Sequence, residues 1–118
     1  MTDLESVRKF EYRPCRVPTG FDVDFVAGEE TLHGLCRDVS DAGIRVKLDG
    51  AVVVGDTGKL VLHHPTGVLK LDAQVAYIDQ GHVGFEFISE TEWERTTINE
   101  YMTAIAKHAA ASMVVRFP

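Results

Sequence analysis

Between Gly20 and Ile88 the chain consists of short segments in which apolar and polar residues alternate. This period of two is typical of strands that bury one face in a core. Residues that favour turns separate six such segments, which predicts a small antiparallel barrel or sandwich. The segments cover residues 21–26, 31–37, 44–48, 59–64, 68–78 and 83–87. The last segment fits two phases, in which the inward residues are either Val83, Phe85 and Phe87 or Gly84 and Glu86.

After the strands, the period changes to that of a helix. Ser89-Glu90-Thr91-Glu92 fits a capping box, because a hydroxyl is followed three residues later by a carboxylate. The pattern predicts a helix over about 89–111 that covers an open end or face of the barrel, followed by a short apolar tail. Trp93 is expected to pack in the core. So is the face formed by Ile98, Tyr101, Met102, Ile105 and Ala109.

Composition limits the class of protein. With 118 residues, 45% of them hydrophobic, the chain is long enough for one folded domain and is not of disordered composition. The formal net charge of -6 argues against a protein that binds DNA or RNA polymers with its whole surface. No apolar run approaches the length of about 18 residues that would span a membrane, and no secretion signal is apparent, so a cytoplasmic location without membrane insertion is expected.

Residues 1–18 differ from the rest in being rich in charge. Pro14 and Pro18 oppose a continuous helix, so an extended arm is predicted. Residues 8–16 carry four basic side chains against one acidic one. Arginine presents a planar fork of donors that suits phosphate oxygens and the O6/N7 edge of guanine, although a solvated basic terminus has the same composition. The basic residues are Arg8, Lys9, Arg13 and Arg16.

A second candidate lies between the second and third predicted strands, at Asp38-Val39-Ser40-Asp41-Ala42-Gly43. If the backbone is extended, Asp38 and Ser40 point the same way, and Gly43 permits a positive φ. In an ordinary turn, such oxygens accept hydrogen bonds from backbone N–H groups. In a binding site, the same carboxylate and hydroxyl would contact a base edge or a ribose. The turn by itself fits both interpretations.

Together, the two candidates resemble the PilZ domain family. An R-x-x-R ending at Arg16-Val17-Pro18 stands 22 positions before Asp38-x-Ser40-x-x-Gly43, and Gly84-Phe85-Glu86-Phe87 directly precedes the helix. The resemblance covers about residues 8–110. It implies a mainly β fold, a six-stranded antiparallel PilZ-type β-barrel with a C-terminal α-helix over residues 19–118, preceded by the arm at 1–18.

The resemblance also implies a function. PilZ domains bind the bacterial second messenger cyclic di-GMP, and a non-enzymatic receptor that signals to an effector protein is expected, without a cofactor. Its outputs would include motility, pili, exopolysaccharide and biofilm formation. By this resemblance, Arg13 and Arg16 would bind the phosphates and guanine of the ligand. Asp38 and Ser40 would contact guanine and neighbouring ligand groups, and Gly43 would shape the turn. Arg8 and Lys9 are secondary candidates.

The arm departs from the family pattern, which is usually R-x-x-x-R. In the register that ends at Arg16, Tyr12 occupies the first arginine position and Arg13 is displaced by one; in the register that ends at Arg13, the first position is Lys9. The Val17-Pro18 context favours the Arg16 register. The imperfect spacing and the apolar tail support an alternative, a PilZ-like adaptor that has lost the ligand and acts by protein–protein contact.

Other chemistry is weakly supported. No Ser/His/Asp set, paired catalytic carboxylates or phosphate-binding glycine loop is apparent, so an enzyme is not predicted, and a small-barrel enzyme or flavin binder is a third, weaker alternative. His33, His63 and His64 have no acidic or thiol partner at metal-ligand spacing and are expected on strand surfaces. Cys36 is expected to pack in the barrel, and Cys15 belongs to the arm.

Overall fold

The computed structural model describes the backbone of residues 17–115 and the side chains of residues 19–110. Within that range the chain forms seven strands and one helix in the order predicted from the sequence, with one additional short strand at the start. The strands are β1 (Val17–Pro18), β2 (Asp22–Ala27), β3 (Glu30–Val39), β4 (Gly43–Leu48), β5 (Thr57–His64), β6 (Gly67–Asp79) and β7 (His82–Ile88), and the helix is α1 (Glu92–Val115).

Strands β2 to β7 close into an antiparallel barrel. The order is β3-β2-β5-β6-β7-β4, and β4 pairs again with β3, so the ring has no open edge. The two-residue strand β1 adds to the end of β3. Closure satisfies the backbone hydrogen-bonding groups that an open sheet would leave at its edges. The prediction of a six-stranded antiparallel barrel followed by a helix is confirmed.

The core follows from the alternation along the strands. In β2, Val23 and Phe25 are buried while Asp22 and Asp24 lie on the outer face. Strand β7 adopts the first of its two possible phases, with Glu86 exposed and three apolar side chains inward. Cys36 is fully buried, as expected. Strands β4 to β7 contribute Ile44, Val46, Leu60, Leu62, Leu71, Ala73, Val75, Val83, Phe85 and Phe87 to the core.

Helix α1 begins three residues later than the sequence predicted. The Glu94 amide donates to Thr91 Oγ1 at 3.1 Å, and the Thr91 hydroxyl donates to a carboxylate oxygen of Glu94 at the same distance. Thr91 is therefore the N-cap, and the assignment of that role to Ser89 is wrong. Strand β7 continues to Ile88, which pairs with β6, so Ser89 belongs to the connection between strand and helix.

The helix packs against the barrel through the face that its spacing predicts. Ile98 and Ile105 are buried, and the Tyr101 hydroxyl donates to the Gly67 carbonyl at 2.7 Å, with the Leu62 carbonyl oxygen 3.3 Å away. Trp93 is 75% exposed, so the expectation that it packs in the core is wrong. It lies in the first turn after the cap, on a side of α1 that does not face the barrel core.

Candidate functional site

The chain enters the barrel beside Asp38. Strand β1 pairs Val17 with Val39 and Pro18 with Asp38, and the Thr19 amide donates to the Arg37 carbonyl at 3.2 Å. These contacts hold the last residues of the arm against the end of β3. The arm candidates themselves, Arg8, Lys9, Arg13 and Arg16, lie outside the described residues.

The Ser40 side chain stabilises the turn that connects β3 to β4. It is 2% exposed, and its Oγ accepts the amides of Ala42 at 3.2 Å and Gly43 at 3.3 Å. The Ser40 amide donates to the Gly43 carbonyl at 2.9 Å. These are the bonds of the ordinary turn considered in the sequence analysis, so Ser40 fixes the loop that follows Asp38.

Gly43 is required by a close approach between strands. It pairs with Glu86 of β7, and a Cβ at this position would lie 2.2 Å from the Phe85 carbonyl oxygen. Its φ lies outside the left-handed region, so the positive φ that glycine permits is not adopted at Gly43. Because the Phe85 oxygen belongs to the backbone of a paired strand, it cannot move aside as a flexible side chain would.

Asp38 forms an ion pair that the sequence analysis missed. Arg45 Nη2 lies 2.8 Å from Asp38 Oδ2, and the two residues are opposite each other in the β3–β4 pairing. The Asp38 side chain is 12% exposed and that of Arg45 is 44% exposed. A shift in register between Cys36 and Asp38 precedes the pair. The alternation of β4, which points Arg45 outward beside the motif, is the signal that could have revealed it.

A cavity of about 340 Å³ opens beside the same turn. The first two turns of α1 form one wall, and the turn itself and the end of β7 form the other. Arg95 and Asn99 thereby come close to the 38–43 turn, although more than 50 positions separate them in the sequence. The lining residues are Asp41, Ala42, Glu86, Phe87, Ser89, Arg95, Ile98 and Asn99.

Two of the histidines meet a carboxylate on the outer face of the barrel. His33 Nδ1 lies 2.5 Å from Asp24 Oδ1, and His63 Nε2 lies 3.0 Å from Asp24 Oδ2. Both histidines lie on the strand surface, as expected. Strand pairing brings β3 and β5 to either side of β2 and so gives them a shared acidic partner that the sequence did not reveal. Burial acts to raise the pKa of Asp24, but the hydrogen bonds with His63 and His33 lower it overall. The hydrogen bond with Asp24 raises the pKa of His33.

His64 is buried, which contradicts its expected place on the strand surface. Its Nδ1 accepts the Thr66 amide at 3.1 Å, and its ring packs edge-on against Phe21 and His108, with centroids 5.0 and 5.1 Å away. Burial, and then the charge of a protonated His108, lower the pKa of His64. Among the described residues, no cluster of three or more His, Cys, Asp or Glu side chains is arranged to hold a metal ion. Residues 17–115 also contain no helix apolar and long enough to cross a membrane.

The closed barrel, the entry strand beside Asp38 and the helix against one end define a small β-barrel domain with a candidate ligand site at the 38–43 turn. The family model for the PilZ domain matches residues 6–104. The chain therefore belongs to the PilZ domain family. No curated protein matched the sequence.

Solved structures of PilZ domains share the fold. The PilZ domain of Escherichia coli YcgR with c-di-GMP superposes with a TM-score of 0.72 at 16% identity, covering 86% of this chain and 95% of that chain. The PilZ domain of CeSA from a cellulose-synthesising bacterium gives a TM-score of 0.68 at 16% identity, covering 78% and 98% of the two chains. The K. pneumonia MrkH–c-di-GMP complex gives a TM-score of 0.67 at 14% identity, covering 85% of this chain and 54% of that chain.

Proposed function

We propose that this protein is a non-enzymatic bacterial receptor for cyclic di-GMP. The dinucleotide binds between an arm at residues 1–18 and the 38–43 turn of the barrel domain at residues 19–118. The observation that carries the proposal is the pairing of β1 with the end of β3, in which Val17 and Pro18, the last two residues of the arm, lie directly beside Asp38 and Val39. The end of the arm and the start of the 38–43 turn are distant in sequence but lie next to each other in the fold.

The residues have complementary roles in this proposal. Arg13 and Arg16 donate to the phosphates and guanine of the ligand, since charge-assisted hydrogen bonds to a guanidinium fork are strong. Arg8 and Lys9 add positive charge. Asp38 accepts from a guanine N–H group, while Ser40 and Gly43 maintain the turn through the hydrogen bonds and the close strand contact described above.

The charge distribution supports a small ligand. The chain carries a net charge of -6, whereas residues 8–16 have four basic side chains and one acidic one. An acidic body opposes binding of long nucleic acids, but a local basic segment attracts a compact dianion. The YcgR and MrkH structures that share the fold contain c-di-GMP, which supports the same ligand class here.

The receptor acts in the cytoplasm by presenting a changed surface to an effector protein when the arm and the turn together hold the ligand. A small ligand serves as a switch when its binding changes the local charge and packing that a partner contacts. The outputs are those implied by the family: motility, pili, exopolysaccharide or biofilm formation.

Calorimetric titration with cyclic di-GMP tests the proposal. We expect saturable binding by the natural protein and at least about tenfold weaker binding by Arg16→Ala and by Asp38→Ala, equivalent to roughly 1.4 kcal/mol each. Lys107→Ala, which removes an exposed positive charge from α1, serves as the matched control and should bind as the natural protein does. Absence of heat at high micromolar ligand would contradict the proposal.

An adaptor that acts by protein contact is the second candidate. One side of α1 presents the exposed Trp93, which lines a groove of about 480 Å³ together with Leu69, Lys59 and Lys70. Exposed aromatic residues beside apolar surface are common in protein interfaces. This candidate predicts no response to cyclic di-GMP and a normally folded Arg16→Ala variant, so the same titration separates the two functions.

A further inference from the structure

We propose that Arg45 is a further ligand-binding residue of this protein, donating to a phosphate of the bound dinucleotide from the outer face of β4. The inference rests on the proposed function and adds a residue that the family motif does not include. Its basis is the position and environment of the Arg45 guanidinium.

The guanidinium is oriented by its ion pair and remains accessible. Nη2 is held 2.8 Å from Asp38 Oδ2, yet 44% of the Arg45 side chain is exposed. Its Nε is buried without a hydrogen-bond partner. An arginine held at one end of its planar fork loses less conformational freedom when the remaining donors bind an anion. The pair therefore pre-organises Arg45 beside the turn.

On the side away from Asp38, the neighbours of Arg45 are a glycine and an aromatic ring. The residue opposite Arg45 on β7 is Gly84, which has no side chain to cover the guanidinium. A Cβ at Gly84 would lie 2.1 Å from the ring of Tyr77, so that ring occupies the surface beyond it. Asp38, Arg45, Gly84 and Tyr77 thus form a row across four strands, with the arginine between the Asp38 carboxylate and a glycine that the Tyr77 ring covers.

Charge balance favours a phosphate as the group that Arg45 contacts. Asp38 alone would repel a dianionic ligand, and Arg45 neutralises it at 2.8 Å. The arm also has Tyr12 where the family pattern places an arginine. Arg45 supplies the positive charge that this position lacks. With Arg16 and Asp38 it gives the site a net positive charge, as an anionic ligand requires.

The test is a calorimetric titration of cyclic di-GMP into Arg45→Gln and Lys47→Gln. Both substitutions remove one positive charge from the outer face of β4, but Lys47 makes no ion pair with Asp38. Glutamine at position 45 keeps an N–H donor for Asp38. We expect Arg45→Gln to raise Kd at least about tenfold and to make Kd less dependent on salt, because a screened charge pair is lost. Lys47→Gln should stay within about twofold of the natural protein.

The outcomes separate this inference from the proposed function. If the natural protein binds and Arg45→Gln binds equally tightly with the same salt dependence, Arg45 is not a ligand residue and the receptor function stands. If the natural protein does not bind, both fail. If Arg45→Gln does not fold by circular dichroism, Arg45→Lys replaces it. Lysine keeps the charge without the fork, and Kd unchanged within about twofold would then overturn the inference.

Discussion

At the scale of single residues, the 38–43 turn depends on the absence of a side chain at Gly43. A methyl group there would meet the Phe85 carbonyl oxygen at 2.2 Å, and that oxygen belongs to the backbone of the paired strand β7. We expect Gly43→Ala to lower the free energy of unfolding by about 1–3 kcal/mol, since the strands must separate locally to admit the methyl group. Urea denaturation followed by circular dichroism measures the change.

Gly20→Ala is the matched control. A Cβ at Gly20 has no heavy atom within 4 Å and the backbone φ there lies outside the left-handed region, so the extra methyl group meets no obstacle. This variant should unfold within about 0.5 kcal/mol of the natural protein. Equal stability of the two variants would show that the β4–β7 contact tolerates a side chain at position 43.

At the scale of elements, the start of α1 depends on one hydroxyl. Thr91 Oγ1 accepts the Glu94 amide, which would otherwise lack a partner in the first turn of the helix. Thr91→Ala should lower the free energy of unfolding by about 1 kcal/mol in denaturant titrations. Ser89→Ala should cost less, because Ser89 precedes the cap. The reverse order of effects would restore Ser89 as the cap.

The strand series was predictable because one face of each strand is buried. Alternation specifies which residues point inward, and turn residues such as Gly28 and Gly67, both at positive φ, specify where strands end. The two phases of β7 could not be separated from the sequence, because Gly84 is also buried and because tertiary packing decides which face is inside. The helix start was misplaced because Ser89 and Thr91 both satisfy the capping pattern.

Only the part of the candidate site whose residues are close together in the sequence could be predicted. The 38–43 segment was found because its polar residues occur within six positions, and the ordinary turn interpretation describes the bonds of Ser40. Arg45 was missed because its contact with Asp38 arises from strand pairing rather than from a motif. The same limitation concealed the partnership of Asp24 with His33 and His63, which lie on three different strands.

At the scale of the whole molecule, that last cluster joins three neighbouring strands and links stability to pH. The hydrogen bond with Asp24 raises the pKa of His33 above 6.5. The stability gained from this hydrogen bond is therefore present below pH 6.5 and is lost as the pH rises through the raised pKa. The pKa of Asp24 is lowered below 3.8 despite its burial. The stability that the ionised carboxylate contributes is therefore present above pH 3.8 and is lost as the pH falls through the lowered pKa. The two pKa shifts arise from the same interaction between Asp24 and His33, which stabilises the fold most between about pH 3.8 and pH 6.5.

Asp24→Asn should therefore lower Tm most near pH 5–6, within that interval, and less once the pH exceeds the raised pKa of His33. The measurement is thermal unfolding of both proteins at several pH values, read as the difference in Tm at each. Because His64 has a lowered pKa, both proteins lose stability as the pH falls through 6.5. This loss is the same in both and cancels in the difference between their Tm values. Asp22→Asn removes a neighbouring carboxylate of β2 that has no hydrogen bond to His33 or His63 and whose charge is the smallest of the causes that raise the pKa of His33, so its Tm difference should vary less with pH than that of Asp24→Asn. An Asp24→Asn difference that stays constant as the pH rises from about 5 into the alkaline range would contradict this linkage, because the interaction of Asp24 with His33 would then not depend on the protonation of His33.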